Sequence, residues 1–411
     1  MKQIILLAIS VAIILNTSAQ VKQKKAVFII ADGIPADVIE KVAVPNLHAI
    51  AKEGAWLHAY VGGEKGGYSQ TPTISAVGYN SLLTGTWVNK HNVWGNDISA
   101  PNYFYPTIFR FFKEQYPDKK TAIFSTWLDN RTKLVGDKFA PTGSIPVDYH
   151  FDGLELDTVN YPHDKESGYT HLIDEAVVNQ ATDVIRKDAP DLSWVYLEYT
   201  DDMGHRYGDS EKMYDAVKMM DSQVGRLWEA IQYRRQNFNE DWVIYITTDH
   251  GRDAKTGRGH GGQSDRERNT WIVTNAVNVN PWFTKNAPGI VDIMPSIAAH
   301  LNITIPRDKL MEIDGVSLTG KIAVADLMAS RTDSQLVVTW KAIAKKGKAK
   351  IWLATTNAFK TGGSDNYQLI KETDISKEQQ TIDLGKIPAS SFYKIVLETP
   401  DNFLNRWVIL K

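Results

Sequence analysis

The sequence predicts an α/β fold: a mostly parallel central sheet flanked by helices, followed by a small C-terminal antiparallel β-sandwich. Three observations predict it. Continuous apolar runs such as Ala26-Val27-Phe28-Ile29-Ile30 recur and run into acidic residues, as strands buried on both faces of a parallel sheet do. Segments with helical apolar spacing lie between those runs. After about Leu327 the texture changes to short strands separated by turns, without a long helical pattern.

The first residues read as a leader and not as part of the fold. Lys2 gives a positive start, Ile4 to Leu15 an apolar core, and Thr17-Ser18-Ala19 a small-residue cleavage site. That is the three-part pattern of a secretory signal peptide over residues 1–19. The apolar stretch is short for a membrane span. The expectation is an exported protein, periplasmic or secreted, that starts near Gln20 and has no membrane span after cleavage. The sequence contains no cysteine, so core size and bound metal, and not disulfides, must hold an exported fold of this kind.

Residues 20–327 are expected to form one catalytic domain. The run at Ala26 stops at Asp32-Gly33, at the carboxyl end of a strand, where open α/β sheets place their ligands. The pattern repeats: Trp194 to Tyr199 leads into Asp201, and Trp242 to Ile246 leads into Asp249-His250. Thr121 to Phe124 is a fourth strand, ending near Trp127 and Asn130. Val217, Met220, Val224, Leu227 and Ile231 give one apolar helical stripe, with Met219, Met220 and Trp228 read as core or near-core. Pro45 to Leu57 and Ala176 to Ile185 are shorter helical candidates, Pro45 suiting a first turn.

In residues 328–411 the strand candidates are Leu336–Trp340, Ala349–Ala354, Gln380–Leu384, Tyr393–Leu397 and Arg406–Leu410. They suggest a fibronectin-III-like sandwich. Lys345-Lys346-Gly347-Lys348 reads as a solvated hairpin turn. Across all 411 residues the formal net charge is -2 and no basic block occurs, which argues against a nucleic-acid-binding surface.

Four motifs carry the chemistry. Asp32-Gly33 follows a buried strand. Ser75 precedes a helical stretch from Val77 to Leu83, where free N–H groups and the helix dipole favour an anion. Asp201 and His205 are four apart, so one helical turn brings both onto one face. Asp249-His250 at a strand end is followed by His260 between glycines, and adjacent buried polar side chains of this kind demand a partner. Aspartate, histidine and a hydroxyl suit zinc well, and manganese or magnesium less well.

Taken in order, these residues resemble the alkaline phosphatase superfamily. The nearest likeness is to the type I nucleotide pyrophosphatase/phosphodiesterases and the ethanolamine-phosphate transferases. The resemblance spans about residues 26–320. It implies an alkaline-phosphatase-like domain that hydrolyses phosphate esters with two divalent metal ions, zinc foremost. The family's nucleophile sits ten positions before the Gly of a Thr-Gly pair, which here is Gly85 and selects Ser75. Thr73 is the alternative. Asp32, Ser75, Asp249 and His250 would hold one ion, and Asp201, His205 and His260 the other. Gly78 occupies the position where nucleotide enzymes carry an Asn that faces substrate. Asn96, with Lys90 and His91, resembles a segment that returns to the site. Trp127 and Arg131 stand where some monoesterases bind non-bridging phosphate oxygens.

The expected partner is a small-molecule, glycan-linked or lipid-linked phosphate ester, with diesters favoured. Near Ser75 the aromatics Tyr68, Tyr79, Trp87, Trp94 and Trp127 outnumber the cations Lys90, Arg131 and Lys133, and Asp129 adds negative charge. Diesters need an apolar wall for the second ester group. A phosphomonoesterase, a phosphoethanolamine or other phosphoryl transferase, and an inactive surface-binding module stay open as alternatives.

Overall fold

The structure, a computed structural model, describes residues 21–332 and 334–410. The expected leader, residues 1–19, lies outside them. The main sheet has seven strands: β1 (Gln23–Ala31), β2 (Ala55–Tyr60), β3 (Thr121–Ser125), β4 (Tyr149–Phe151), β5 (Leu192–Leu197), β6 (Glu240–Thr247) and β7 (Asn269–Thr274). Their order is β2-β7-β6-β1-β5-β3-β4. β1 lies at the centre, parallel to β5 and β6, and β3 continues the parallel set between β5 and β4. β7 runs antiparallel to both β6 and β2.

The apolar runs follow from this position. β1 is buried from Lys25 to Ala31 and β5 over its whole length, so side chains of both faces must be apolar. Phe28 and Ile30 enter one core with Tyr79, Leu82 and Met294. Val27 and Ile29 enter the other with Val217, Met220 and Leu227. Each such side chain contributes on the order of 1.5–3 kcal/mol by leaving water. The helix Ser75–Thr84 belongs to the first layer and is buried at every residue. The helices Gly168–Lys187 and Glu211–Asn237 cover the second.

Three expectations need correction. The helix at Pro45 ends at Glu53, and Leu57 lies in β2. Gly54 breaks the helix where a Cβ would collide with the backbone of Thr274 and Asn275. Met219 is 42% exposed on the solvent face of its helix, while Met220 and Trp228 are buried. The lysine turn at 345–348 is solvated, but it is not a hairpin: it joins strands of two different sheets.

Those sheets are C-terminal and antiparallel. They comprise β8 (Val324–Thr332), β9 (Gln335–Ala342), β10 (Lys348–Ala354), β11 (Gln368–Asp374), β12 (Gln379–Asp383), β13 (Phe392–Glu398) and β14 (Phe403–Ile409). One has the order β11-β10-β13-β14 and the other β12-β9-β8. Leu336, Val338, Trp340, Ile351 and Ile395 fill the space they share. β8 begins at Val324, and its bulge between Ala325 and Met328 interrupts the alternation that would have marked it. Among the described residues no helix is long and apolar enough to cross a membrane.

Buried charges lock the C-terminal sheets to the main domain. Lys394 on β13 pairs with Glu312 at 2.6 Å and Asp365 at 2.8 Å, all three nearly inaccessible. Lys90, fully buried, pairs with Asp314, donates to the Glu312 carbonyl at 2.7 Å and reaches Asn405 Oδ1 on β14 at 2.7 Å.

Candidate metal centre

Three parallel strands deliver the acidic residues to the carboxyl end of the sheet. Asp32 follows β1, the helix Tyr199–Tyr207 that carries Asp201 and His205 follows β5, and Asp249-His250 follows β6. The helix Ser75–Thr84 begins beside them. Its N-cap, Ile74, offers no side-chain bond, so the first-turn amides depend on other partners. Asn96 supplies one: its Oδ1 accepts from Ala76 N at 3.0 Å.

The inner group forms around His250. Its Nδ1 lies 2.9 Å from the Gly251 carbonyl, which fixes the proton there and leaves Nε2 with a lone pair. Nε2 lies 3.3 Å from Asp32 Oδ1, 3.4 Å from Asp249 Oδ2 and 3.5 Å from Ser75 Oγ. A tetrahedral zinc with bonds of about 2.0–2.1 Å has ligand atoms about 3.3 Å apart, so these spacings fit an ion. Asp32 Oδ1 and Asp249 Oδ2 are buried and receive no hydrogen bond. Two bare carboxylate oxygens facing one imidazole lone pair are costly in isolation, and a divalent cation satisfies all three. The other oxygens are occupied. Asp32 Oδ2 accepts from Tyr79 and, at 2.8 Å, from Tyr196, and Asp249 Oδ1 accepts from Gly33 N at 3.2 Å.

The outer group is more open. His205 Nε2 lies 3.2 Å from Asp201 Oδ2 and 3.1 Å from His260 Nε2, with the His205 side chain 46% exposed. His260 Nδ1 is 2.9 Å from the Thr73 carbonyl, which again leaves Nε2 free for a ligand. The His250 and His260 rings stack at 3.8 Å between centroids, so the two groups share a wall. Thr73, the alternative nucleophile, is committed elsewhere: its hydroxyl donates to Gly262 O at 3.0 Å and accepts from Gly261 N at 2.9 Å.

The electrostatics agree with a cation site. Burial, and then the charge of Asp201, push the Asp32 carboxyl up to about 7. Burial and Asp32 raise Asp249. Burial, and then His260, hold His250 well below its ordinary range, hence neutral and ready to ligate. For Asp201, burial alone would raise the carboxyl, but Arg252 and the His205 hydrogen bond override it and hold it low.

The residues expected on the substrate side separate. Asn96 is exposed over the helix start, and Trp127 is half-buried, edge-on to Tyr79 at 6.3 Å. Arg131 is committed to carboxylates: Asp152 takes its Nε at 2.6 Å and Nη2 at 2.9 Å, and Asp137 its Nη1 at 2.7 Å. Gly78 is buried where a Cβ would approach the Asp249 carbonyl at 2.7 Å, so it lets the helix pack on the Asp249 loop. Lys133 pairs with Asp129 at 2.7 Å, and Lys90 lies in the domain junction. Of the aromatics, Tyr79 and Trp87 are core and Tyr68 stacks on Trp407. Trp94, 54% exposed, and Trp127 remain.

Sequence reasoning missed Tyr196, Arg252 and Glu198. Burial, then Asp202 and Asp32, raise the Glu198 carboxyl well above its ordinary range. Their one sequence signal is adjacency: Arg252 stands two residues from His250, Glu198 three from Asp201 and Tyr196 five from Asp201.

Comparison with known proteins bears on this geometry. Residues 26–267 match the family model for type I phosphodiesterase / nucleotide pyrophosphatase. Human ectonucleotide pyrophosphatase/phosphodiesterase family member 7 is 25% identical over 60% of this chain and 53% of its own. A bis(5'-adenosyl)-triphosphatase of Xenopus laevis is 25% identical over 55% of this chain and 47% of its own. The chain thus spans about half the length of the curated relatives it matches. A solved Bacteroides thetaiotaomicron structure described as a sulfatase shares the fold, with a TM-score of 0.52, 11% identity, and coverage of 89% of this chain and 86% of that one.

Proposed function

The chain belongs to the type I phosphodiesterase / nucleotide pyrophosphatase family, and from that premise we propose that it is a metal-dependent phosphoric ester hydrolase whose nucleophile is Ser75. The observation that carries this reading is the place of Ser75 Oγ. It opens a buried helix and lies 3.5 Å from His250 Nε2, the nitrogen that the two bare oxygens of Asp32 and Asp249 also face.

Asp32, Ser75, Asp249 and His250 would hold an inner divalent cation, and Asp201, His205 and His260 an outer one, with zinc the best match to this donor set. Such cations supply Lewis-acid polarisation of the phosphoryl oxygens and a lowered pKa at a bound hydroxyl. The chain's own residues do the rest. Ser75 Oγ attacks phosphorus and forms the Oγ–P bond as the P–O bond to the leaving alcohol breaks. Water then cleaves the phosphoserine and returns Ser75. Asn96, held at Ala76 N, is the candidate to contact a phosphoryl oxygen, and Trp127 with Trp94 the candidates to face the ester group.

Phosphodiesters are the favoured substrates, as a small molecule or linked to a glycan or lipid. Arg131, Lys133 and Lys90 are all committed to carboxylates, so none is left to balance the extra charge of a monoester. Residues 1–19 are read as a signal peptide and the protein as exported, periplasmic or secreted. Residues 20–327 form the catalytic domain and 328–411 a fibronectin-III-like sandwich with a lead-in at Val324. The test is the ratio of kcat/KM for bis-p-nitrophenyl phosphate to that for p-nitrophenyl phosphate, corrected for intrinsic reactivity, on zinc-loaded protein. A ratio above one supports the diester reading. A strong monoester preference would overturn it.

A further inference from the structure

Arg252 is a buried arginine, 1% exposed, beside the outer group. Its Nε donates to Gly33 O at 2.9 Å, its Nη1 to Arg258 O at 3.0 Å and its Nη2 to Asp201 O at 2.7 Å. Nη2 also pairs with Asp201 Oδ1. Two glycines make the slot. A Cβ on Gly204 would collide with the guanidinium, and one on Gly33, at φ +66°, would crowd Nη2 at 2.7 Å and meet Asp201 Oδ1. The carboxylate of Asp201 is thereby divided: Oδ1 serves Arg252 and Oδ2 faces His205 at 3.2 Å.

This division makes the two cation positions unequal. The inner one presents two carboxylates, Asp32 and Asp249, with neutral His250. The outer one presents a single carboxylate, Asp201, whose charge Arg252 offsets, and two imidazoles. A fixed positive charge beside a cation site lowers its affinity. We propose that Arg252 is a positioning residue that sets the charge of the outer position, so that the inner position fills first and the outer cation is the exchangeable one. The proposal rests on the two-cation reading above. Without Arg252, Asp201 keeps its backbone bond to Glu198 O and its contact with His205; what leaves with the guanidinium is its charge and its bonds to Gly33 O, Arg258 O and Asp201 O, and Arg252→Lys separates the two.

The test is calorimetric titration of the metal-free full-length protein with zinc. In the wild type two binding steps are expected, separated by about tenfold or more in affinity. His205→Ala should lose the weaker step and keep the tighter one. Arg252→Gln should tighten the weaker step and narrow the gap, whereas Arg252→Lys, which keeps the charge, should preserve it. Two equal steps in the wild type would overturn the proposal. So would loss of the tighter step in His205→Ala, or equal weakening of the outer step in Arg252→Gln and Arg252→Lys. If Arg252→Gln does not fold, Arg252→Met takes its place as the charge-free variant, with the same expected tightening of the weaker step. A single step or none in the wild type would instead overturn the two-cation reading itself.

Discussion

The Tyr79 hydroxyl donates to Asp32 Oδ2, the carboxylate oxygen turned away from His250, and so reserves Oδ1 for the inner position. Tyr79 comes from the same helix that starts with Ser75, so one element sets both the proposed nucleophile and the orientation of Asp32.

Tyr79→Phe removes this donor, while Tyr196 keeps its 2.8 Å bond to the same oxygen. Outer partners of metal ligands typically govern affinity by 10–100-fold. Zinc affinity at the inner position should fall by about tenfold, measured by competition with a chromophoric chelator. Unchanged affinity would mean that the Tyr196 bond alone holds Asp32 in place.

Metal uptake should be coupled to pH with a definite sign. In the metal-free protein Asp32 is raised from the ordinary 3.8 to about 7, and Asp249 is raised with it. Between those values the folded state binds more protons than the unfolded chain, so this pair's contribution to metal-free stability falls as pH rises through the window. A cation must displace the same protons and then replaces them as the carboxylates' partner. The zinc-induced gain in Tm should therefore be larger at about pH 8 than at about pH 5. An equal gain at both would contradict burial of these carboxyls as the cause.

The junction ion network predicts a stability effect far from the site. Lys394→Met leaves Glu312 and Asp365 buried without their cation. Breaking a buried pair by removing one partner costs about 3–5 kcal/mol. Urea unfolding should show a loss of that size, with the zinc affinity of the folded protein unchanged. A loss below about 1 kcal/mol would place the network among surface-like pairs.

Much of the fold is readable in the sequence because β1, β5 and β6 are central, and burial on both faces forces apolar runs that lead into the candidate ligand residues. β2 and β7 form the antiparallel side, where Ala55–Tyr60 alternates in burial and follows a helix after a single glycine, so its period is lost in the neighbouring pattern. β8 hides behind its bulge. The ligand candidates stand out because Asp and His at strand ends have few other uses. Their supports do not. Arg252 meets Gly33 across 219 residues and Tyr196 meets Asp32 across 164, contacts that no local pattern encodes. Arg131 misleads for the converse reason, since Asp152, 21 residues on, claims its guanidinium.

Turnover of bis-p-nitrophenyl phosphate by Ser75→Ala, measured beside its zinc content, decides whether Ser75 is the nucleophile. Turnover should fall by about a thousandfold or more, while zinc stays bound through Asp32, Asp249 and His250 at the inner position and Asp201, His205 and His260 at the outer. Near-wild-type turnover in Ser75→Ala, with the loss appearing in Thr73→Val instead, would contradict the assignment.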